Sequence, residues 1–231
     1  MQRLALLKER YRCVAFDFRG QGQSEVTRSG YDMETLYEDA IALIEQLSCA
    51  PCHFLGLSMG GFIGLRLAAR RPELLQSLIL LETSADTEPR EHVAKYRQLT
   101  FVARWFGLGL VVDRVMPVMF GRTFLTNPAR ALERREWRHR MSGNHRLGIT
   151  RATTGVITRK GIESEIDKIT VPTLILVGDE DVAVPPVHSQ RLHEHIAGSC
   201  LEIIPRAGHT STVEEPTAVN GAITNFLGSL S

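Results

Sequence analysis

Short apolar runs bounded by turn residues recur along this chain. The runs have the length of strands and few polar interruptions, which predicts strands that are buried on both faces. They occupy residues 12–18, 52–57, 77–81, 173–177 and 200–204.

Helical patterns separate most of these runs. In residues 33–47 the apolar side chains recur at the spacing of one helix face, and residues 59–70 and 187–197 are also predicted to be helical. Strands that alternate with helices favour a parallel sheet. We therefore expect an α/β fold, with a mostly parallel sheet that is covered by helices on both faces.

Residues 86–165 differ from the rest of the chain, because only helical patterns occur there. This segment has 15 Lys and Arg against 8 Asp and Glu, a formal charge of +7, whereas the remainder carries −6. We expect a helical cap at 86–165, inserted into a core made of residues 1–85 and 166–231. Most cap arginines are expected on solvated helix faces.

The cap also contains aromatic and methionine side chains, for which two interpretations remain open. They form either the apolar core of the cap or part of a substrate pocket. The candidates for the pocket are Met116, Met119, Phe120 and Trp137.

Length and composition are those of an ordinary globular protein. The 231 residues are 43% hydrophobic, so one domain with a modest insertion can bury a full core. The formal net charge of +1 gives no long-range reason to expect nucleic acid or an acidic membrane as a partner. A neutral or amphipathic small molecule fits better.

The sequence also bears on where the protein resides. No apolar stretch approaches the roughly 20 residues of a membrane helix. The first residues mix charged side chains with apolar ones, unlike a secretory signal. These features predict a cytoplasmic protein.

Cysteine and histidine patterns point away from redox or metal chemistry. Cys49 and Cys52 form a C-x-x-C pair, but the pair ends a helical pattern, on the wrong side of the turn for activation by a helix N-terminus. His188, His193 and His195 lack H-E-x-x-H spacing and fit polar positions of one helix. We expect no metal and no other cofactor.

A G-x-S-x-G pattern covers residues 56–60, with an apolar run before it and a helical pattern after it. This context predicts a strained turn that exposes the hydroxyl of Ser58 at the edge of the sheet. Glycines leave room for strand and helix to approach, and Gly61 and Gly64 continue the pattern. Ser58 is therefore the candidate nucleophile, and the backbone N–H of Met59 is the candidate oxyanion donor.

A serine hydroxyl needs a base within hydrogen-bonding reach, and the base needs a group that orients it. His209 follows the last apolar run and Asp181 follows the fourth, which gives the chain order Ser, Asp, His. These positions are strand ends, where open α/β sheets place their sites. Glu82, after the third run, is the alternative acid.

These segments resemble the α/β-hydrolase superfamily, in its branch of small esterases, enol-lactone hydrolases, acyl-homoserine lactonases and cofactor-free perhydrolases. The resemblance implies that 86–165 is a cap over the active site. The matching motifs are a D-x-R-G-x-G-x-S turn at 17–24, a nucleophile elbow at 56–61, a P-T-L-x-x-x-G-x-x-D turn at 172–181 and a histidine loop at 208–216.

The front of the chain departs from this resemblance. Family members begin with three strands, and the third ends in an H-G loop that supplies an oxyanion donor, whereas this chain starts near the helix after that loop. We therefore expect 12–18 to pair directly with 52–57, or a second copy of the chain to supply a strand, which would make a homo-oligomer. With direct pairing the second donor has no evident source, and we expect weak activity.

Three functions follow as hypotheses. The leading one is hydrolysis of a small hydrophobic or amphipathic carboxylic ester through an acyl-enzyme on Ser58. A lactonase would use the same three side chains on a cyclic ester. The third is a weakly active relative that only binds a hydrophobic ligand. A serine at the elbow argues against haloalkane dehalogenase and epoxide hydrolase activity, both of which use a carboxylate there.

Overall fold

A computed structural model describes residues 7–230. Its single sheet is fully parallel, and each strand pairs with the next one along the chain. Because the strands run in the same direction, their carboxyl ends lie at one edge. The predicted fold class is confirmed. The strands are β1 (Cys52–Leu57), β2 (Leu75–Leu81), β3 (Thr173–Gly178) and β4 (Cys200–Ile204).

Helices cover both faces of this sheet. The helices of the described structure are α1 (Met33–Gln46), α2 (Met59–Arg70), α3 (Arg90–Phe106), α4 (Val112–Met119), α5 (Arg122–Thr126), α6 (Ala131–Ser142), α7 (Arg146–Ile157), α8 (Pro186–His195), α9 (Ser211–Glu214) and α10 (Pro216–Ser229). One face packs against α1, α2 and α8, and the other against α10. Leu78 and Leu80 of β2 belong to the first core and Ile79 to the second, because successive strand residues point to opposite faces.

The helix predicted at 33–47 is confirmed as α1. Asp32 caps its first turn, where the Asp32 carboxylate accepts the Thr35 N–H at 2.9 Å. The apolar side chains at helical spacing are buried, as the pattern indicates. No helix among residues 7–230 is long and apolar enough to cross a membrane.

Residues 86–165, here called the helical segment, lie between β2 and β3. In the described structure this segment contains α3 to α7 and no strand. Buried Arg159 joins the two ends of the segment, since it pairs with Glu88 at 2.6 Å and donates to the Asp86 carbonyl at 3.0 Å. Arg66 of α2, also buried, donates to the Lys160 carbonyl at 2.8 Å. The ends of the segment are thereby fixed beside the sheet.

The strand predicted at 12–18 is wrong. Residues 12–18 form no strand, and within the described chain β1 pairs only with β2. Val14 and Phe16 are 45% and 38% exposed, so the run is not buried on both faces. An apolar run becomes a strand only where a neighbour completes its backbone hydrogen bonds. Direct pairing with β1 does not supply them, and a strand from a second copy stays a prediction.

The last apolar run forms β4 at the predicted residues, but its burial differs from the prediction. Cys200 and Ile203 are exposed, and Leu55 of β1 is exposed as well, although burial on both faces was predicted for that run too. Because β1 and β4 lie at the two edges of the sheet, each has one strand neighbour in the described structure and fewer contacts than β2 or β3. Apolar content alone does not distinguish an edge strand from a central one.

The glycines around the turn between β1 and α2 are not equivalent. A Cβ on Gly56 would lie 2.2 Å from the Gly60 carbonyl oxygen, and one on Gly61 would lie 2.5 Å from the Thr83 Cβ. A Cβ on Gly60 would meet no atom within 4 Å in the described structure. The close approach of strand and helix therefore requires Gly56 and Gly61, whereas Gly60 has open space.

We predict that Gly61→Ala lowers the free energy of unfolding by about 1–3 kcal/mol, because the added methyl group overpacks the contact with Thr83. Gly60→Ala, in the same helical turn, is the matched control. It should not destabilise the protein, because alanine favours a helix by up to about 1 kcal/mol over glycine. Denaturant unfolding followed by circular dichroism measures both, and equal losses would contradict this explanation.

Candidate active site

Ser58 lies at the sharp turn between β1 and α2. Its backbone has φ 51° and ψ −109°, a region that non-glycine residues rarely occupy. The turn is held by the β2 side of the sheet, since the Ser58 N–H donates to the Leu81 carbonyl at 2.8 Å and the Thr83 hydroxyl donates to the Ser58 carbonyl at 3.0 Å. This backbone presents the Ser58 hydroxyl at the carboxyl edge of the sheet.

The structure brings the three predicted side chains together in one hydrogen-bonded chain. His209 Nε2 lies 2.9 Å from Ser58 Oγ, and His209 Nδ1 lies 2.9 Å from Asp181 Oδ2. His209 and Asp181 are both buried. The other Asp181 oxygen accepts the N–H groups of Ala183 and Val184 at 2.8 and 3.0 Å. The carboxylate is therefore fixed on both sides, and the imidazole faces the serine hydroxyl.

Glu82, the alternative acid, follows β2 and is fully buried. Its backbone also has a positive φ of 44°. Neither carboxyl oxygen forms a hydrogen bond of normal geometry in the described structure. The Ser211 hydroxyl and the Gly178 backbone act to lower the pKa of Glu82, but burial, together with the negative charges of Asp181 and Glu214, outweighs them and raises it well above its usual range. The neutral form of Glu82 is therefore favoured, and the structure pairs His209 with Asp181 instead.

Glu214 joins the loop of His209 to the helical segment. Its Oε1 accepts the N–H groups of Gly208 and Thr210, on either side of His209, at 3.0 and 3.2 Å. Its Oε2 accepts the N–H of Gly121 at 2.8 Å. Burial raises the pKa of Glu214, whereas these N–H donors oppose the rise. One buried carboxylate thus fixes both neighbours of His209 against the helical segment.

A second carboxylate makes a similar connection beside the catalytic acid candidate. Glu180, adjacent to Asp181, accepts the Thr123 N–H at 2.7 Å and the Thr123 hydroxyl at 2.6 Å. The Thr210 hydroxyl donates to the Met119 carbonyl at 2.9 Å. Residues 119–123 of the helical segment therefore contact both loops that carry the acid and the base.

The four predicted pocket residues lie in one apolar cluster. Met116 and Phe120 are buried, and Met119 and Trp137 pack against them. The Phe120 ring stacks on the Phe124 ring, with their centroids 4.6 Å apart. The centroids of the Phe120 and Trp137 rings are 6.0 Å apart. These contacts form an apolar core within the helical segment. The lining of a substrate pocket by these side chains stays a prediction.

Sequence reasoning missed the contacts that Glu214 and Glu180 make with the helical segment. Tyr96 of α3 is partly buried, and burial, with the charges of Glu88 and Asp181, raises the pKa of its phenol. Glu214 falls inside the histidine loop identified by resemblance, but no local pattern shows that its carboxylate binds N–H groups of another element. The only signal for Glu214 in the sequence is its closeness to His209 along the chain.

Cysteines and histidines outside the site have ordinary partners. Burial raises the pKa of the Cys52 thiol to about 11, which disfavours the reactive thiolate. In residues 7–230 no group of three His, Cys, Asp or Glu side chains could hold a metal ion. The three histidines of α8 contact separate residues: His188 with Asp86, His193 with Ser199, and His195 with Asp167.

Comparisons of sequence give a consistent set of relatives. The family model described as serine aminopeptidase S33 (Hydrolase_4) matches residues 3–216. A protein of Stutzerimonas stutzeri named putative carbamate hydrolase RutD is 28% identical over 98% of this chain and 85% of its own length. The 3-oxoadipate enol-lactonase 2 of Acinetobacter baylyi is 28% identical over 96% of this chain and 80% of its own length.

Solved structures agree with the sequence comparisons. An enol-lactonase from Burkholderia xenovorans has a TM-score of 0.89 at 27% identity, over 98% of this chain and 84% of that one. An esterase from Exiguobacterium antarcticum has a TM-score of 0.85 at 25% identity, over 98% and 85% of the two chains. With the family model matched across most of its length and its fold shared with these enzymes, the chain belongs to the Hydrolase_4 family of α/β-hydrolases.

Proposed function

We propose that this protein is a serine hydrolase that cleaves carboxylic esters through an acyl-enzyme on Ser58. The observation that carries the proposal is the buried chain of hydrogen bonds from Asp181 through His209 to Ser58. A serine hydroxyl is a weak nucleophile by itself, and this arrangement supplies the base and the orienting group that activate it.

The reaction begins when Ser58 Oγ attacks the ester carbonyl carbon and His209 Nε2 takes the hydroxyl proton. The carbonyl electron pair moves to oxygen, which forms a tetrahedral intermediate. When that intermediate collapses, the bond to the alcohol breaks and His209 returns the proton to the leaving oxygen. Water, deprotonated by His209, then attacks the carbonyl carbon of the acyl-enzyme. When this second tetrahedral intermediate collapses, the bond to Ser58 Oγ breaks, the acid is released and His209 returns the proton to Ser58.

Two further groups act on the charges that develop. Asp181 accepts the Nδ1–H of His209, so Nε2 is left free as the base and the imidazolium that forms is stabilised. Met59 is the first residue of α2, where a backbone N–H has no partner inside the helix. That N–H is available to the oxyanion, and the positive end of the helix dipole adds to the effect.

A lactonase is the second candidate, because the enol-lactonases of Acinetobacter baylyi and Burkholderia xenovorans are similar over most of the chain. A lactone is a cyclic ester, and the same steps open it with the alcohol still attached to the acid. A panel of p-nitrophenyl esters and lactones, assayed beside Ser58→Ala, decides which substrate class is preferred.

We predict that Ser58→Ala and His209→Ala each lower kcat for esters by about 10⁴-fold or more, because the members of such a chain act as a unit. A fluorophosphonate probe should label the unaltered protein and not Ser58→Ala. Circular dichroism checks that both variants are folded. Either variant keeping more than about a tenth of kcat would show that the assignment is wrong.

Asp181→Asn should lower kcat by about 10⁴-fold, because the amide favours the wrong imidazole tautomer. Glu82→Gln should leave kcat nearly unchanged, because burial already favours the neutral form of Glu82 and glutamine is neutral with a similar shape. Steady-state assays of both variants at neutral pH test this. If Glu82→Gln has the larger effect, Glu82 and not Asp181 is the catalytic acid.

Glu214→Ala should reduce both stability and activity. Each buried N–H left without a partner costs about 1–3 kcal/mol, and a displaced His209 costs about 10²-fold in kcat. Glu136→Ala is the control, since it removes an exposed ion pair with Arg140 in the same helical segment that contributes less than about 1 kcal/mol. Unaltered unfolding and kcat in Glu214→Ala would contradict the positioning role.

A further inference from the structure

The outer side of α3 exposes two large aromatic side chains, and two more large apolar side chains are exposed where the helix ends and just beyond it. Phe101, Trp105, Phe106 and Leu110 are 60%, 63%, 67% and 65% exposed. Single exposed apolar residues are normal in folded proteins, but clustered aromatic ones mark an interaction surface. We call Phe101 and Trp105, with Arg97 and Arg104, the α3 patch.

Arg97 and Arg104 lie on the same side of α3 as the first two aromatic rings. Positions 97, 101, 104 and 105 fall within about 100° around a helix. Both arginines are exposed, and among residues 7–230 neither guanidinium forms an ion pair or a hydrogen bond. The groove between α3 and α7, about 250 Å³ in volume, is lined by Arg97, Arg104 and Phe101. Cationic and apolar groups therefore share one surface.

The net charge of the chain is unevenly distributed between the helical segment and the remaining residues. The helical segment carries +7 and the rest of the chain −6, so the near-zero total says little about this face. The expectation that no acidic membrane binds was based on that total. Exposed charges act over about 8 Å at physiological salt, so the cationic groups that a partner at the α3 patch meets first are Arg97 and Arg104.

We propose that the α3 patch docks this protein on an anionic lipid surface. The two aromatic side chains enter the interface between headgroups and acyl chains, while Arg97 and Arg104 contact anionic headgroups. A second copy of the chain is a poorer occupant, because a symmetric contact would bring two pairs of unpaired arginines together. This binding does not depend on the proposed ester hydrolysis.

Vesicle co-sedimentation tests the proposal on the full chain, with the Ser58→Ala protein in parallel so that catalysis plays no part. Vesicles of phosphatidylcholine with phosphatidylglycerol should bind the protein, and vesicles of phosphatidylcholine alone should bind it much more weakly. Added salt should weaken the binding. Equal binding to both vesicles, or to neither, would overturn the proposal.

Three double variants separate the contributions of the arginines and of the aromatic side chains to vesicle binding. Arg97→Gln with Arg104→Gln should weaken binding by roughly 30-fold, since each basic residue near an anionic surface contributes about fivefold. Phe101→Ser with Trp105→Ser should also weaken it. The control, Arg12→Gln with Arg206→Gln, removes the same charge from exposed positions outside the helical segment and should change binding little.

Two results would overturn the assignment of this surface. If the control weakens binding as much as Arg97→Gln with Arg104→Gln, the attraction is not local to the α3 patch. If the unaltered protein elutes as a dimer in size-exclusion chromatography, and Phe101→Ser with Trp105→Ser makes it a monomer, the patch is an interface between copies. Circular dichroism and thermal unfolding of each patch variant separate loss of docking from loss of folding.

Discussion

Parallel pairing of four strands is the constraint on which the rest of this structure depends. It brings the ends of β1 and β3 and the loop after β4 to one edge, so that Ser58 and His209, 151 positions apart, come within hydrogen-bonding distance. The same sheet holds the strained turn at Ser58, because β2 supplies the Leu81 carbonyl that accepts its N–H. Strain of this kind persists only where surrounding structure determines it.

Three buried carboxyl groups lie around this edge, and they differ in their hydrogen-bonding partners. Asp181 accepts N–H groups of the imidazole and of the backbone, and Glu214 accepts only N–H groups and the Thr210 hydroxyl. Glu82 forms no hydrogen bond of normal geometry in the described structure, and burial favours its neutral form. A buried site stabilises a charge only where donors compensate it. The geometry therefore favours Asp181 as the acid.

One side of the helical segment contacts the loops that carry Asp181 and His209, and its other side is exposed to solvent. Glu180 and Glu214 bind its backbone at Thr123 and Gly121, so its position and that of His209 are linked. The outer side of α3 combines aromatic rings with unpaired arginines. A displacement of the helical segment would therefore also disturb its hydrogen bonds to the loops that carry Asp181 and His209.

The sequence by itself determined α1 and β1, the fold class and the order of Ser58, Asp181 and His209, because these follow from local periodicity and from turns at strand ends. Tertiary structure decided that 12–18 is not a strand, since a strand requires a neighbour that the local sequence does not specify. Contacts such as Glu214 with Gly121, 93 positions apart, were likewise decided only by folding. Their partners become neighbours when distant segments pack, and no local pattern encodes that distance.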